Sequence, residues 1–171
     1  MAGKAYLTRM PLGFSGAVTR PQDLTTEPVI LDSARPFSKY GLAGKWDGNK
    51  FVPLEEGDTI DSFAGILIRP YPTQSSTDMA YLGVQAGFTG DRLARGYICV
   101  DVPQTQAASA TRGAAIYVRV AGETEDSPLG SFMLAPDADV ANTPEVPLAK
   151  VMGPGDGTGT TLGQVEIAYN I

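Results

Sequence analysis

Residues Lys50–Thr73 constrain the fold more than any other part of the chain. They contain two β-prone runs, Phe51–Leu54 and Ile60–Ile68, which are separated by an acidic turn with a glycine. The second run ends at Pro70 and Pro72, which have no amide hydrogen to donate to a neighbouring strand. The segment therefore predicts a strand, a turn and a second strand. It has no nucleophile with a base beside it, which favours a structural role.

Strand and turn signals continue along the rest of the chain. Hydrophobic residues make up 43% of the chain, and Gly and Pro contribute 20 and 13 residues, a composition that favours short strands joined by turns. Two weak helical segments, 104–111 and 137–141, are too polar or too short to stand alone. The predicted strands are Val29–Leu31, a hairpin over Trp46–Leu54, Ile60–Arg69 with a candidate bulge at Gly65, Met79–Phe88, Gly96–Val102, Ala114–Ala121 and Gln164–Tyr169. The fold class predicted is mainly β, as a compact β-barrel or sandwich.

The segment Ala114–Ala121 shows the clearest alternation. Ile116, Val118 and Val120 fall on one side of a strand, and the period of two is typical of a half-buried strand. The same pattern places Arg119 on the opposite side, pointing away from the core.

Residues 1–28 have a different character from residues 29–171. Pro and Gly recur in them, the apolar residues are widely spaced, and the first 22 residues contain three basic residues and no acid. We interpret 1–28 as an extended N-terminal arm and 29–171 as the β domain. The arm either docks on an acidic neighbour, where an extended segment can add a strand to a sheet edge, or packs back on the domain. Chance variation in charge is the alternative to a basic arm.

Composition argues against several classes of function. His is absent, which removes the commonest general base and the commonest metal ligand. The single cysteine, Cys99, cannot form an internal disulfide or a zinc site, and it fits assembly in a reducing cytoplasm. A net charge of −6 argues against a generic nucleic-acid binder. No membrane span or signal peptide is apparent, so no cofactor, metal, nucleic acid or membrane is expected as a partner.

Two patterns suggest a catalytic or ligand-binding role, but other interpretations are favoured. The loop Gly153–Gly163 reads GPGDGTGTTLG, but it lacks the Gly-Lys-Ser/Thr ending of a phosphate-binding loop, so a flexible or interface loop is favoured. Three pairs of acids, 55–56, 125–126 and 137–139, lie in polar turns beside Gly and Pro. Solvated turn acids are favoured there over a hydrolase pair or a calcium site.

An ordered set of segments carries a family resemblance. The segments are ILDSARPFSKYG (Ile30–Gly41), KFVPLEEGDTIDSFAGILIRPYPT (Lys50–Thr73), ARGYICVDV (Ala94–Val102), GAAIYVRVAG (Gly113–Gly122) and MGPGDGTGTTLGQVEIAYNI (Met152–Ile171). Together they resemble the structural cement, or decoration, proteins of tailed-bacteriophage capsids. The resemblance implies a non-enzymatic protein, made in the host bacterial cytoplasm, on the outer capsid surface of the virion. It implies binding across seams between major capsid protein subunits. It also implies self-association, with a homotrimer favoured over a homodimer.

The character of the arm suggests which residues contact the capsid. The candidates are Lys4, Arg9, Leu12, Phe14 and Arg20, and no family motif assigns them. Arg69 and Tyr71 are candidates for an oligomer or capsid interface, because Tyr and Arg are enriched in binding hot spots. Two rival functions are a surface β domain that binds carbohydrate or a host receptor, and a hydrolase that uses two buried carboxylates.

Overall fold

The computed structural model describes residues 13–70 and 89–171. Within these residues, nine strands form a seven-stranded mixed sheet and a separate two-stranded sheet, which confirms the mainly β prediction. One short α-helix and two single turns of 3₁₀-helix accompany them in the same ranges. The strands are β1 Val18–Leu31, β2 Ala43–Asp47, β3 Lys50–Pro53, β4 Gly65–Ile68, β5 Thr89–Pro103, β6 Tyr117–Val118, β7 Phe132–Met133, β8 Ala149–Val151 and β9 Leu162–Tyr169. The helices are α1 Gln104–Ala108 and the 3₁₀ turns Ile60–Ser62 and Val140–Asn142.

Five strands of the large sheet pair in a closed ring. The strand order is β1-β3-β2-β4-β5-β9-β8, and β1 also pairs with β5. The β1–β3 pairing is parallel, with Ile30 opposite Lys50, and the other pairings of the ring are antiparallel. The C-terminal half of β5 continues beyond the ring and pairs with β9 over eight residues. Thus β5 connects the ring to the remainder of the sheet.

The large sheet packs against two hydrophobic cores, and ring strand β4 contributes to both, with Leu67 in one and Ile66 in the other. The ring core contains Phe37 and Phe51, whose rings stack with centroids 5.3 Å apart. A side chain at Gly44 would lie 2.8 Å from the Phe37 ring, so only glycine fits beside this pair. The larger core includes Ile98 and Val165 of the β5–β9 pair, and it extends to Phe132 of the two-stranded sheet.

The hairpin predicted over Trp46–Leu54 is confirmed. Its strands, β2 and β3, pair with Asp47 opposite Lys50 across a turn at Gly48, which has a φ of +57°. Two-residue turns of this kind need positive φ, which glycine adopts without strain. Trp46 and Phe51 face each other across the hairpin in an edge-to-face contact with a centroid separation of 5.7 Å.

Two predicted strands are shorter than expected. The segment Ile60–Arg69 begins with a 3₁₀ turn, and its strand β4 starts only at Gly65, whose φ is +148°. The segment Ala114–Ala121 is a strand only at β6, because its other backbone groups bond to surrounding loops. For example, the amide of Val120 donates to the carbonyl of Asn142 at 2.8 Å.

The predicted position of Arg119 is wrong, although the alternation around it is right. Ile116, Val118 and Val120 are buried as expected, but Arg119 is also only 3% exposed. Its guanidinium lies 2.7 Å from the carboxylate of Asp137 and donates to the carbonyl of Gly122 at 2.7 Å. Loops cover this side of the segment and supply the charge and acceptors that a buried guanidinium needs.

The remaining predicted elements have different outcomes. Strands predicted at Gly96–Val102 and Gln164–Tyr169 are confirmed within β5 and β9, and Met79–Phe88 lies outside the described residues. β1 crosses the boundary predicted after residue 28, and the division into an arm, 1–28, and a domain, 29–171, stays a prediction.

Candidate interaction surfaces

The first described residues are fastened to the body of the protein, and we call residues 13–20 the N-terminal anchor. The amide of Gly16 donates to the carbonyl of Cys99 at 2.8 Å, and the amide of Cys99 donates to the carbonyl of Ala17 at 2.9 Å. The amide of Arg69 donates to the carbonyl of Gly16 at 2.8 Å. These backbone bonds hold the anchor between β5 and the end of β4.

A cation between two aromatic rings marks the start of the anchor. The Arg69 guanidinium carbon lies 5.6 Å from the ring centroid of Phe14 and 5.3 Å from that of Tyr40. Its Nε also donates to the carbonyl of Ser15 at 3.4 Å. Phe14 remains 60% exposed, so its outer surface is available to a partner.

Close backbone contact at two glycines lets the anchor approach the body. Gly16 and Gly41 both have a φ of +81°. A side chain at Gly41 would lie 2.7 Å from the amide nitrogen of Gly16 and would also collide with Ser15. A residue larger than glycine at either position would separate the two segments.

Arg20 fixes the other end of the anchor. It forms a bidentate pair with the carboxylate of Glu166 in β9, with N–O distances of 2.8 and 2.7 Å. The hydrogen bond with Glu166 raises the pKa of Arg20 above its ordinary value. Thr19 donates to the same carboxylate at 2.6 Å, and the Arg20 guanidinium lies over the ring of Tyr97 at 4.7 Å.

The predicted site residues therefore divide into groups. The structure brings Phe14 and Arg69 together, and it places Arg20 at the opposite end of the same anchor. Lys4, Arg9, Leu12 and Tyr71 lie outside the described residues. Sequence reasoning missed Glu166 and Tyr40, because they are far from the anchor along the chain and only tertiary folding brings them to it.

A second surface, which we call the polar groove, lies beside the β2–β3 hairpin. Its volume is about 770 Å³. The exposed indole of Trp46 contributes an apolar surface, and 43% of that residue is accessible. The groove is lined by Arg35, Lys45, Trp46, Asp47, Glu55, Asp58, Asp61, Ser62, Phe63, Ala64 and Arg92.

Ion pairs order the charged side chains of the polar groove. Arg35 pairs with Asp47, with Asp32 at 3.1 Å and with Glu55 at 3.4 Å. Its hydrogen bonds, above all the one to Asp47, raise the pKa of Arg35. Lys45 pairs with Glu55 at 2.7 Å, and this bond lowers the pKa of Glu55 below its usual range. Arg35 and Glu55 therefore stay charged at neutral pH.

Arg92 completes the polar groove from the β5 side. Its guanidinium carbon lies 5.1 Å from the ring centroid of Trp46, and it donates to the carbonyl of Ala64. A pair with Glu27 of β1 at 2.6 Å holds it in place. Two contacts thus hold Trp46 in place, one with Arg92 and one, edge to face, with Phe51.

The N-terminal anchor and the polar groove lie at opposite ends of the ring. In the β2 segment, Tyr40 contacts the anchor and Trp46 lines the groove. In the β4 segment, Arg69 contacts the anchor and Ala64 lines the groove. β2 has five residues, and a strand of this length spans roughly 15 Å.

Neither surface contains a recognisable catalytic arrangement of buried acids. In the described ranges, Asp32 is the carboxylic acid that is buried, and its pKa is lowered, chiefly by the hydrogen bond from Lys50. No group of three or more potential metal ligands occurs in residues 13–70 and 89–171. A search of the same residues found no helix with the length and apolarity needed to span a membrane.

A family model and a solved structure both show that the chain is similar to phage capsid proteins. No curated protein matches the chain. A solved chain from "The capsid of Myoviridae Phage XM1" is similar with a TM-score of 0.62 and 16% identity, covering 96% of each chain, which shows a shared fold. The family model described as XM1 gp53 minor capsid protein matches residues 3–169. The resemblance to phage capsid proteins is confirmed, so the chain is a capsid-associated structural protein of a virion. It belongs to the XM1 gp53 minor capsid protein family.

Proposed function

We propose that this protein is a cement protein that binds the outer surface of the assembled major capsid protein lattice and stabilises the shell. The observation that carries the proposal is the N-terminal anchor. It is fixed on the body by the backbone hydrogen bonds of Gly16 and Ala17 and by the contact of Phe14 with Arg69. Residues 1–12, which contain Lys4 and Arg9, are therefore joined to the body at a defined point beside an exposed aromatic ring.

The anchor can transmit force from a bound segment to the β domain. An extended chain of twelve residues reaches at most about 40 Å, which is enough to cross a subunit boundary. A ligand that binds only the assembled lattice stabilises it by mass action, and many symmetric copies multiply a modest contact. No chemical reaction is needed for this function, and a homotrimer at a symmetry axis would fit it.

Deleting residues 1–12 tests the proposal without touching the anchor. We expect the truncated protein to keep its free energy of unfolding, because none of the described contacts is removed. We expect it to lose co-sedimentation with empty particles that lack this protein. A matched variant in which a Gly/Ser sequence of equal length replaces residues 1–12 should also fail to bind, which separates specific contacts from chain length. Full occupancy of the particles by the truncated protein would contradict the proposal.

A further inference from the structure

We propose that the polar groove is a binding site for a neutral oligosaccharide. Shell attachment through the N-terminal anchor makes no use of this groove, which lies at the other end of the ring. The inference starts from the exposed indole of Trp46, which is 43% accessible although the ring is held by Arg92 and Phe51. A fixed, flat aromatic surface with a polar N–H is suited to the apolar C–H face of a sugar ring.

The charge balance of the groove favours a neutral ligand. Three basic and four acidic side chains line it, so neither an anion nor a cation would meet a strong opposite field. Sugar hydroxyl groups can donate to carboxylates and accept from guanidinium groups. Asp47 and Glu55 keep acceptor sites after pairing with Arg35, because an ionised carboxylate has about four lone-pair positions.

The ion pairs also prepare these side chains for binding. Arg35, Asp47 and Glu55 are already held in one arrangement by their mutual contacts. A ligand that meets ordered side chains avoids part of the entropy cost of immobilising them. The volume of about 770 Å³ is within the range of roughly 300–1,000 Å³ that is usual for small-ligand sites, so a short oligosaccharide fits.

The position of the groove gives such a site access to its ligand. If the anchor end faces the shell, as the proposed function requires, the groove end faces outward. The recognition of sugar itself does not depend on that orientation, and the isolated protein is expected to show it.

The test uses Trp46 as a reporter, since it is the only tryptophan in the chain. The full-length protein is titrated with maltotriose, cellotriose and chitotriose, and with 3′-sialyllactose as a charged comparison. We expect at least one neutral trisaccharide to change the Trp46 fluorescence saturably, with calorimetry giving a dissociation constant of about 1 mM or below. Absence of saturable binding by all three neutral sugars, or binding of the charged sugar alone, would overturn the inference.

Two variants locate the site. Calorimetry of Trp46→Ala should show binding weakened by about tenfold or more, the loss expected for a central aromatic anchor. Asp47→Asn keeps the indole of Trp46 and should weaken binding by a smaller factor. This second variant keeps the test valid if Trp46→Ala fails to fold. Val140→Ala, at an exposed apolar position outside the groove, is the control and should bind as the unmodified protein does. Unchanged affinity in Trp46→Ala would overturn the inference.

The two proposals can fail separately. The variant lacking residues 1–12 should bind the trisaccharide normally, and Trp46→Ala should still co-sediment with empty particles. If Trp46→Ala instead loses particle binding, attachment through the anchor end is contradicted, whereas the sugar titrations alone decide the sugar-binding inference.

Discussion

Arg119 shows how a single buried charge organises the loops around β6. Its Nε donates to the hydroxyl of Ser127 at 2.9 Å, and its Nη1 binds Asp137 and the carbonyls of Ala121 and Gly122. A buried guanidinium is tolerated because a carboxylate and several oxygens replace its hydration. These contacts connect the segment after β6 to two loops that share no regular strand with it.

Arg119→Met should destabilise the protein, because the change removes the hydrogen bonds while keeping much of the volume. The free energy of unfolding in urea should fall by about 2 to 4 kcal/mol, somewhat less than for a fully buried pair, since Asp137 is partly exposed. Arg95→Met is the matched control, because Arg95 and its partner Asp23 are both about half exposed. It should cost less than about 1 kcal/mol. Equal losses in the two variants would show that burial of Arg119 contributes nothing.

At the scale of elements, turn residues and alternation were sufficient where a strand runs without interruption. The hairpin over Trp46–Leu54 and the strands at Gly96–Val102 and Gln164–Tyr169 followed from turn residues and alternation. The 3₁₀ turn at Ile60–Ser62 did not, because an apolar run gives no sign of where pairing with β2 and β5 begins. Nor did the burial of Arg119, since period two identifies opposite sides of a strand but not whether a loop covers one of them.

The candidate sites show the same limit. Sequence character selected Phe14, Arg20 and Arg69, and all three belong to or contact the N-terminal anchor. Their partners Tyr40 and Glu166 were not predictable, because the contacts join segments separated by up to 146 residues. The polar groove was missed for a similar reason, since its ion pairs connect turns that only the ring brings together.

Gly41→Ala should release the N-terminal anchor from the body. The new methyl group would collide with the backbone of Gly16, so the hydrogen bonds between Gly16, Cys99 and Ala17 should weaken. Hydrogen exchange of the Gly16 and Cys99 amides should become faster, with smaller changes in β9. Gly57→Ala is the matched control, because the φ of Gly57, +88°, is similar and a methyl group there would meet no atom within 4 Å. It bears the same backbone strain of about 1 to 2 kcal/mol. Equally fast exchange in the control would refute the role of close packing.

At the scale of the molecule, the ring separates two surfaces of different chemistry. The anchor end has an exposed Phe14 and is joined to the basic residues 1–12, whereas the groove end has balanced charges and an exposed indole. A protein that attaches at one end leaves the other free, so shell binding and ligand binding need not compete. The strands between them are hydrogen-bonded in a closed ring, which gives a stiff connection between the two ends.

The orientation on the shell is therefore a prediction that labelling can check. Asn49→Cys places a thiol in the exposed turn at the groove end, and Ser38→Cys places one near Tyr40 at the anchor end; both positions are exposed. The native Cys99 is fully buried and should not react. We expect maleimide to label both variants quickly in the free protein.

On the particle, Asn49→Cys should keep its labelling rate and Ser38→Cys should be protected, because the shell covers the anchor end. The reverse pattern would mean that the groove faces the lattice.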